Sequence, residues 1–263
     1  MKKIISIVNQ KGGVGKSTIT INLAGGLAIN HNKKILVVDI DPQSDCTLHF
    51  GIDPMELKYS IVDIFESKRT GESFKTEKAI VETKIPNIHL LPATLMLDDT
   101  EQNILNVMYR ETILKSALKQ IADNYDFIII DCRPAMQTLT LNAIEAADFF
   151  VVPIRLDRYS IYGLGKVIKT VNEMKSNNGS FNIKNSLRIL KNDVDVREKV
   201  IPLLVEKDLE EVENLILETY IHRSSDYKKT QYSEAPILFH SVDSRPALDF
   251  TLLSKEILNI CQK

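Results

Sequence analysis

Three glycines, two lysines and two hydroxyl side chains crowd into the segment Lys11-Gly12-Gly13-Val14-Gly15-Lys16-Ser17-Thr18. Glycines at this density let the backbone curl until consecutive N–H groups point inward, a shape that suits phosphate oxygens. The helix that should start near Lys16 adds its positive end to the same point. Lys16 can then supply charge to β- and γ-phosphates, the Ser17 hydroxyl can ligate Mg2+, and Thr18 is placed to donate to an α-phosphate. The strict Gly-x-x-x-x-Gly-Lys-Ser/Thr pattern fails, because its first glycine falls on Gln10. The context test is met all the same: an apolar strand precedes the loop and an amphipathic helix follows. A chance glycine turn beside a lysine is the bland alternative, and the strand, loop and helix together weigh against it.

Two further places carry isolated carboxylates at the ends of apolar runs. Ile35-Leu36-Val37-Val38 runs into Asp39 and Asp41, and Phe127-Ile128-Ile129-Ile130 runs into Asp131. A carboxylate at the end of a buried strand is costly unless it faces a polar cleft. A turn or helix cap is the other reading for one of the pair Asp39 and Asp41. Cys132, next to Asp131, reads as a small packing residue rather than a nucleophile.

The elements that must position these groups alternate along the chain. Short apolar runs near 3–8, 35–38, 88–91, 127–130, 149–152 and 187–190 predict strands, the continuous ones covered on both faces. Helical spacing is expected over 17–29, 61–66, 101–122, 138–146, 160–175 and 207–219, and in a last helix after Ser244 with Pro246 in its first turn. This alternation predicts an α/β fold, a mostly parallel twisted sheet flanked by helices on both faces, with ligands at the strand C-terminal ends.

The chain has 263 residues, 44% hydrophobic and 26% charged, enough for one large core. No linker-like stretch, repeat or low-complexity tract divides it, so residues 1–263 are expected to form a single domain. The net charge of −2 excludes a strongly basic nucleic-acid binder as a description of the whole chain. Cys46, Cys132 and Cys261 are too few and too scattered for a disulfide framework or a zinc site. Neither a signal peptide nor an apolar run long enough for a membrane span is read. A cytoplasmic protein is expected.

The segment Asn9 to Thr18 followed by Asn22-Leu23-Ala24, then Asp39-Ile40-Asp41-Pro42-Gln43 with Thr47, and Tyr125 to Cys132 with 139–148, resembles the ParA-type partition ATPases of the deviant P-loop family. The likeness runs in register to about residue 175 and returns at Ser233-Glu234-Ala235-Pro236. It implies ATP hydrolysis to ADP and phosphate, slow and stimulated by a partner, with Mg2+. It implies that Lys11 reaches across an ATP-dependent homodimer to the phosphates of the other subunit. Asp41 would position the attacking water, Asp39 would support the Mg2+ surroundings, and Asp131 would hold Mg2+ directly or through water.

The resemblance further implies non-specific DNA binding by the ATP-bound dimer, on the nucleoid, and a ParB-like centromere-binding partner in plasmid or chromosome segregation. Arg197, Lys228 and Lys229 are the leading candidates for DNA contact, with Arg188, Lys191, Lys199 and Arg245 behind them. No helix-turn-helix segment is expected before the first strand at Lys3. Arg133 departs from the family, which has proline there; it could touch phosphate or pair with an acid at a dimer interface. Ile221-His222-Arg223 stands where the family has its adenine loop, with an apparent insertion at 224–230. A MinD-like or other cargo-positioning ATPase is the alternative, although MinD-like proteins need a basic amphipathic helix at the C-terminus. An iron-protein reductase would need a second cysteine at a matching strand end, which is missing.

Overall fold

The computed structural model describes residues 2–176, 181–198 and 208–262. Seven strands form one sheet: β1 Lys3–Ile7, β2 Ile35–Asp39, β3 Val81–Glu82, β4 Ile88–Leu91, β5 Phe127–Asp131, β6 Phe149–Ile154 and β7 Leu187–Lys191. Their order is β3-β4-β2-β5-β1-β6-β7, all parallel except the two-residue edge strand β3. Every residue of β2, β5 and β6 is buried, as continuously apolar strands covered on both faces should be.

The described helices are α1 Lys16–His31, α2 Asp45–His49, α3 Ile61–Thr70, α4 Leu97–Asn103, α5 Ile113–Lys119, α6 Thr138–Ala146, α7 Arg158–Lys175, α8 Ile183–Ser186, α9 Asp226–Ser233, α10 Ile237–His240 and α11 Arg245–Gln262. Two apolar clusters cover the sheet. One gathers α3, α5, α6 and α7, with Phe65, Leu114, Ile144 and Leu164 fully or nearly buried; the other gathers α1, α10 and α11 around Leu23, Ile237 and Phe250. Gly26 of α1 is required by the close approach of α11, because a Cβ there would stand 2.7 Å from the Cβ of Ser254. Asn22 ties the same region, donating to the Thr18 carbonyl and accepting the Ile237 N–H at 2.7 Å each.

Two expected helices are corrected. The stretch 101–122 is not one helix: α4 ends at Asn103, Tyr109 takes a left-handed conformation (φ 56°), and a 3-10 turn at Arg110–Thr112 leads into α5. Asn142 explains the break. Its side chain donates to the Arg110 carbonyl at 2.7 Å and accepts the Leu114 N–H at 3.0 Å, a tertiary contact that overrides local propensity. Over 207–219, the described part is helical at Asp208 and then holds a 3-10 segment, Glu210–Leu215, with non-helical dihedrals at Val212. Ile216 bridges Ile189, and the Leu217 N–H donates to the Ile189 carbonyl at 2.9 Å. Pairing an apolar residue to the sheet edge satisfies backbone groups that a helix here would leave facing β7.

Candidate functional site

The C-terminal ends of β1, β5 and β2 lie side by side. Ile7 and Asp39 both stand in register with Asp131, so the glycine-rich loop and two carboxylates meet at one edge of the sheet. The loop is held from below. Asn9 donates to the Pro153 carbonyl at 2.7 Å and accepts the Lys11 N–H at 2.9 Å. Gly15 adopts φ 87°, and a Cβ on it would meet Asn192 Nδ2 at 2.5 Å. That amide donates in turn to the Val14 carbonyl at 2.7 Å. Asn192 follows β7, and loop curvature thus depends on a residue far along the chain.

No side chain caps the start of α1, so its first N–H groups are left for another acceptor. Lys16 is buried with its ammonium 3.2 Å from the Lys11 carbonyl. Burial pushes its pKa down, while Asp131, Cys132 and Asp41 pull the other way. Gly13, Gly15, Lys16, Ser17, Thr18 and Asp41 line one cavity of about 530 Å³, with Gln231 of α9 on its far wall. That volume suits a nucleotide-sized ligand.

Asp39 and Asp131 are both fully buried. Burial drives the Asp39 carboxyl up to about 7, against hydrogen bonds from Thr47 and the Asp41 N–H that favour its charge. Its oxygens accept the Thr47 hydroxyl at 2.7 Å, the Thr47 N–H at 2.9 Å and the Asp41 N–H at 3.0 Å. Asp39 therefore shapes the 40–47 loop and aims Asp41 at the cavity. Asp131 is pushed well above the carboxylate range, by burial first and then by Asp39. Its Oδ1 accepts from Thr20, the Ser17 hydroxyl nearby favours its charge, and its Oδ2 is buried with no partner at hydrogen-bond distance among the described residues.

An orphaned carboxylate oxygen in this position is costly without a cation, and a divalent one next to Ser17 fits it. Among the described residues no group of three or more His, Cys, Asp or Glu surrounds a metal position. A hard cation held by one or two carboxylates plus substrate phosphates agrees with that.

Lys11 does not line the cavity. Its ammonium lies 2.7 Å from both oxygens of Asp157 and 3.1 Å from the Ser160 hydroxyl. Asp157 caps α7 by accepting the Ser160 N–H. Burial would raise its pKa, but the bonds from Lys11 and Ser160 outweigh burial and hold the carboxyl below its ordinary range. The two readings of Arg133 concern a phosphate and a second subunit; within the chain it has two acidic partners. The guanidinium pairs within its own chain with buried Glu101 at 2.6 Å and with Asp98 at 3.0 Å. Glu101 also accepts the Leu139 N–H at 2.8 Å in the first turn of α6. The pair thus anchors the loop between Asp131 and α6, whose Pro134 lines the cavity. Glu101→Ala should lower stability by about 2 kcal/mol, since it removes the buried partner of a partly buried guanidinium, which keeps only exposed Asp98, and leaves a helix N–H without its acceptor. Chemical denaturation of the two proteins checks the figure, and a loss under about 1 kcal/mol would show that the anchor is dispensable.

The other candidates are scattered. Arg197 makes a two-point ion pair with Asp195, and Lys229 pairs with Asp226. Lys228 is exposed on α9, one turn from Gln231. Arg188 donates to the Lys184 and Leu187 carbonyls, and Arg245 pairs with Asp249. Lys191 ends β7. Lys199 lies outside the described residues. His222 bonds the buried Asp249 at 2.9 Å, a structural partnership. Of residues 224–230, those from Asp226 on form the first part of α9, which brings Gln231 to the cavity. All three cysteines are free and buried, and burial lifts the Cys132 thiol to about 12. No described helix is long and apolar enough to cross a membrane.

Sequence reasoning missed Asn192, Asp157, Glu101 and Gln231. Asp157, an aspartate just before a helical run, carried a readable capping signal. The others carried none.

Comparison with known proteins agrees with this geometry. A family model described as an AAA domain matches residues 2–189. The chain is similar to the sporulation initiation inhibitor protein Soj of Bacillus subtilis, 33% identical over 258 residues and covering 98% of both proteins. It is similar to the chromosome partitioning protein ParA of Myxococcus xanthus, 30% identical, covering 97% of this chain and 88% of that one. Among solved structures it resembles cobyrinic acid a,c-diamide synthase from Mycobacterium smegmatis with a bound ATP analog and magnesium. There the TM-score is 0.83 at 26% identity, covering 100% of this chain and 96% of that one.

Proposed function

Because the chain belongs to the ParA-type partition ATPases, we propose that its ATP hydrolysis drives a partition cycle in which Mg-ATP closes a homodimer and the dimer binds DNA without sequence preference. A ParB-like centromere-binding protein is the partner that triggers turnover. The observation that carries the reading is a single cavity lined by Lys16, Ser17, Thr18 and Asp41, at the uncapped start of α1.

In this scheme the N–H groups of Gly12, Gly13, Val14 and Gly15 hold the phosphates, and Lys16 neutralises the β- and γ-oxygens. Ser17 and Asp131 would hold Mg2+, with Asp39 beside Asp131 keeping the loop in place. When bound, Mg2+ offsets charge between the terminal phosphates. Asp41 orients the attacking water. Lys11 leaves Asp157 and reaches the neighbour's phosphates, acting there as an arginine finger does. Arg197, Lys228 and Lys229 are the proposed DNA contacts; two of them must exchange a carboxylate for a phosphate.

Retention on unrelated DNA duplexes tests the cycle. Binding should require ATP, and affinity should fall about a hundredfold or more between 50 and 200 mM salt, as it does when several phosphates are contacted. Equal retention with and without nucleotide would contradict the proposal.

A further inference from the structure

Helix α9 reaches the nucleotide-sized cavity with a polar side chain that the protein itself does not use. Thr230 and Ser233 give their hydroxyls to carbonyls of the same helix, and Lys229 pairs with Asp226. Gln231 is exposed and lines the cavity, and its carboxamide has no hydrogen-bond partner among the described residues. The backbone just after it is pinned. Gly25 of α1 admits Pro236, because a Cβ on it would stand 2.5 Å from the Cβ of Pro236, and Asn22 accepts the Ile237 N–H at 2.7 Å. His49 of α2 has its Nε2 3.1 Å from the Ala235 carbonyl. The segment is thus fixed against α1 and α2, while the Gln231 side chain stays free to meet a ligand.

The place of Gln231 along the cavity selects the part of a ligand it meets. Thr18, Ile21, Asn22 and Gly25 follow the i, i+3, i+4, i+7 spacing of one helix face. Asn22 and Gly25 meet Ile237 and Pro236 at the far end of that face, and Gln231 joins Thr18 and Ile21 in the cavity wall. Asp41, Gln43 and Asp45 close the cavity from the segment after β2. With the terminal phosphates at Lys16 and the α-phosphate at Thr18, a nucleotide leaves the loop along this face of α1, past Ile21, with its base toward Gln231. Ile21 and Leu48 offer apolar surface to a flat ring, and a carboxamide suits the ring's edge.

We propose that Gln231 is the residue that selects adenine over guanine. A carboxamide matches adenine at two points: its carbonyl accepts from the N6 amine, and its N–H donates to N7. Guanine presents acceptors at both O6 and N7, so one of the two bonds is lost and two oxygens are left facing each other. A guanidinium, which has donors only, matches guanine at both points. The role rests on the cavity being the ATP site proposed above, and it adds the choice of base to the phosphate contacts of Lys16, Ser17 and Thr18.

Titration calorimetry of the full chain with Mg-ATP, Mg-GTP and inorganic triphosphate tests it, on the wild type, Gln231→Ala and Gln231→Arg. The wild type should prefer ATP to GTP by about tenfold or more, the range that a two-point contact to a base edge supplies. Gln231→Ala should lose most of that preference, chiefly by weakening ATP, while triphosphate binds as before. Gln231→Arg should turn the preference toward GTP. Position 231 is at the surface, and thermal melts check that both variants are folded. Equal affinity of the wild type for ATP and GTP, or a ratio unchanged by the two substitutions, would overturn the proposal. So would an equal loss for all three ligands in Gln231→Ala, because Gln231 would then brace the loop rather than read a base. Failure of the ATP site itself looks different. A wild type that bound neither ATP nor triphosphate would sink the proposed function, whereas normal ATP binding with an indifferent position 231 would sink only the choice of base.

Discussion

Lys16→Ala is expected to reduce ATP hydrolysis by at least two to three orders of magnitude while the fold survives. The ammonium is buried against the Lys11 carbonyl at the floor of the phosphate cavity. A preorganised cation in a water-poor site contributes about 3–4 kcal/mol to a transition state in which charge builds on phosphate oxygens, hence the factor. Its removal deletes a desolvated charge, and buried Asp131, which attracts it, is already pushed toward its neutral form, so the apo protein should melt near the wild-type temperature. The wild type should gain thermal stability from saturating Mg-ATP, and the variant should gain little, because a ligand stabilises only what it binds. Steady-state phosphate release together with melts with and without nucleotide checks both halves. Residual turnover above about a tenth of wild type would mean that the loop N–H groups and the α1 terminus do the work alone.

Lys11 and Asp157 give the second large effect, and the pair must be changed separately. If Lys11 acts on a neighbour's nucleotide, Lys11→Ala should cut partner-stimulated hydrolysis about a thousandfold, the lower range seen for a finger-like cation. ATP binding within one subunit should persist, because Lys11 does not line the cavity. Asp157→Asn should act in the opposite direction. It removes the carboxylate that holds the ammonium, and asparagine keeps the helix cap. Freed of that contact, Lys11 should favour the ATP-bound dimer, and the dimer should form at several-fold lower protein concentration. If both substitutions instead lost stability and activity alike, the ion pair would be a structural brace.

The glycine-rich loop and the strand-end carboxylates were readable as candidates because each is local: a glycine run after an apolar strand, or an aspartate after four apolar residues. The alternation of elements likewise placed the parallel sheet. What holds the site in shape was not readable. Asn192 reaches Val14 across 178 residues, Asp157 reaches Lys11 across 146, and Glu101 reaches Arg133 across 32. No periodicity or spacing encodes such pairs; only the folded sheet brings them together. The same cause misled the reading of 101–122, where apolar spacing continued through a point that Asn142 cuts from another helix. The apparent insertion at 224–230 forms, from Asp226, the start of a helix whose Gln231 lines the cavity, and its polar residues carried no hint of that.

The central claim is that nucleotide assembles two subunits, each amine serving the other's phosphates. Light scattering coupled to size-exclusion chromatography on Asp41→Ala, with saturating Mg-ATP, tests it most directly, because blocked turnover should hold the assembled state. A mass twice that of the 29.8 kDa chain, reverting on nucleotide removal and absent in Lys11→Ala, is the predicted result. A single-chain mass at every nucleotide and protein concentration would contradict the account.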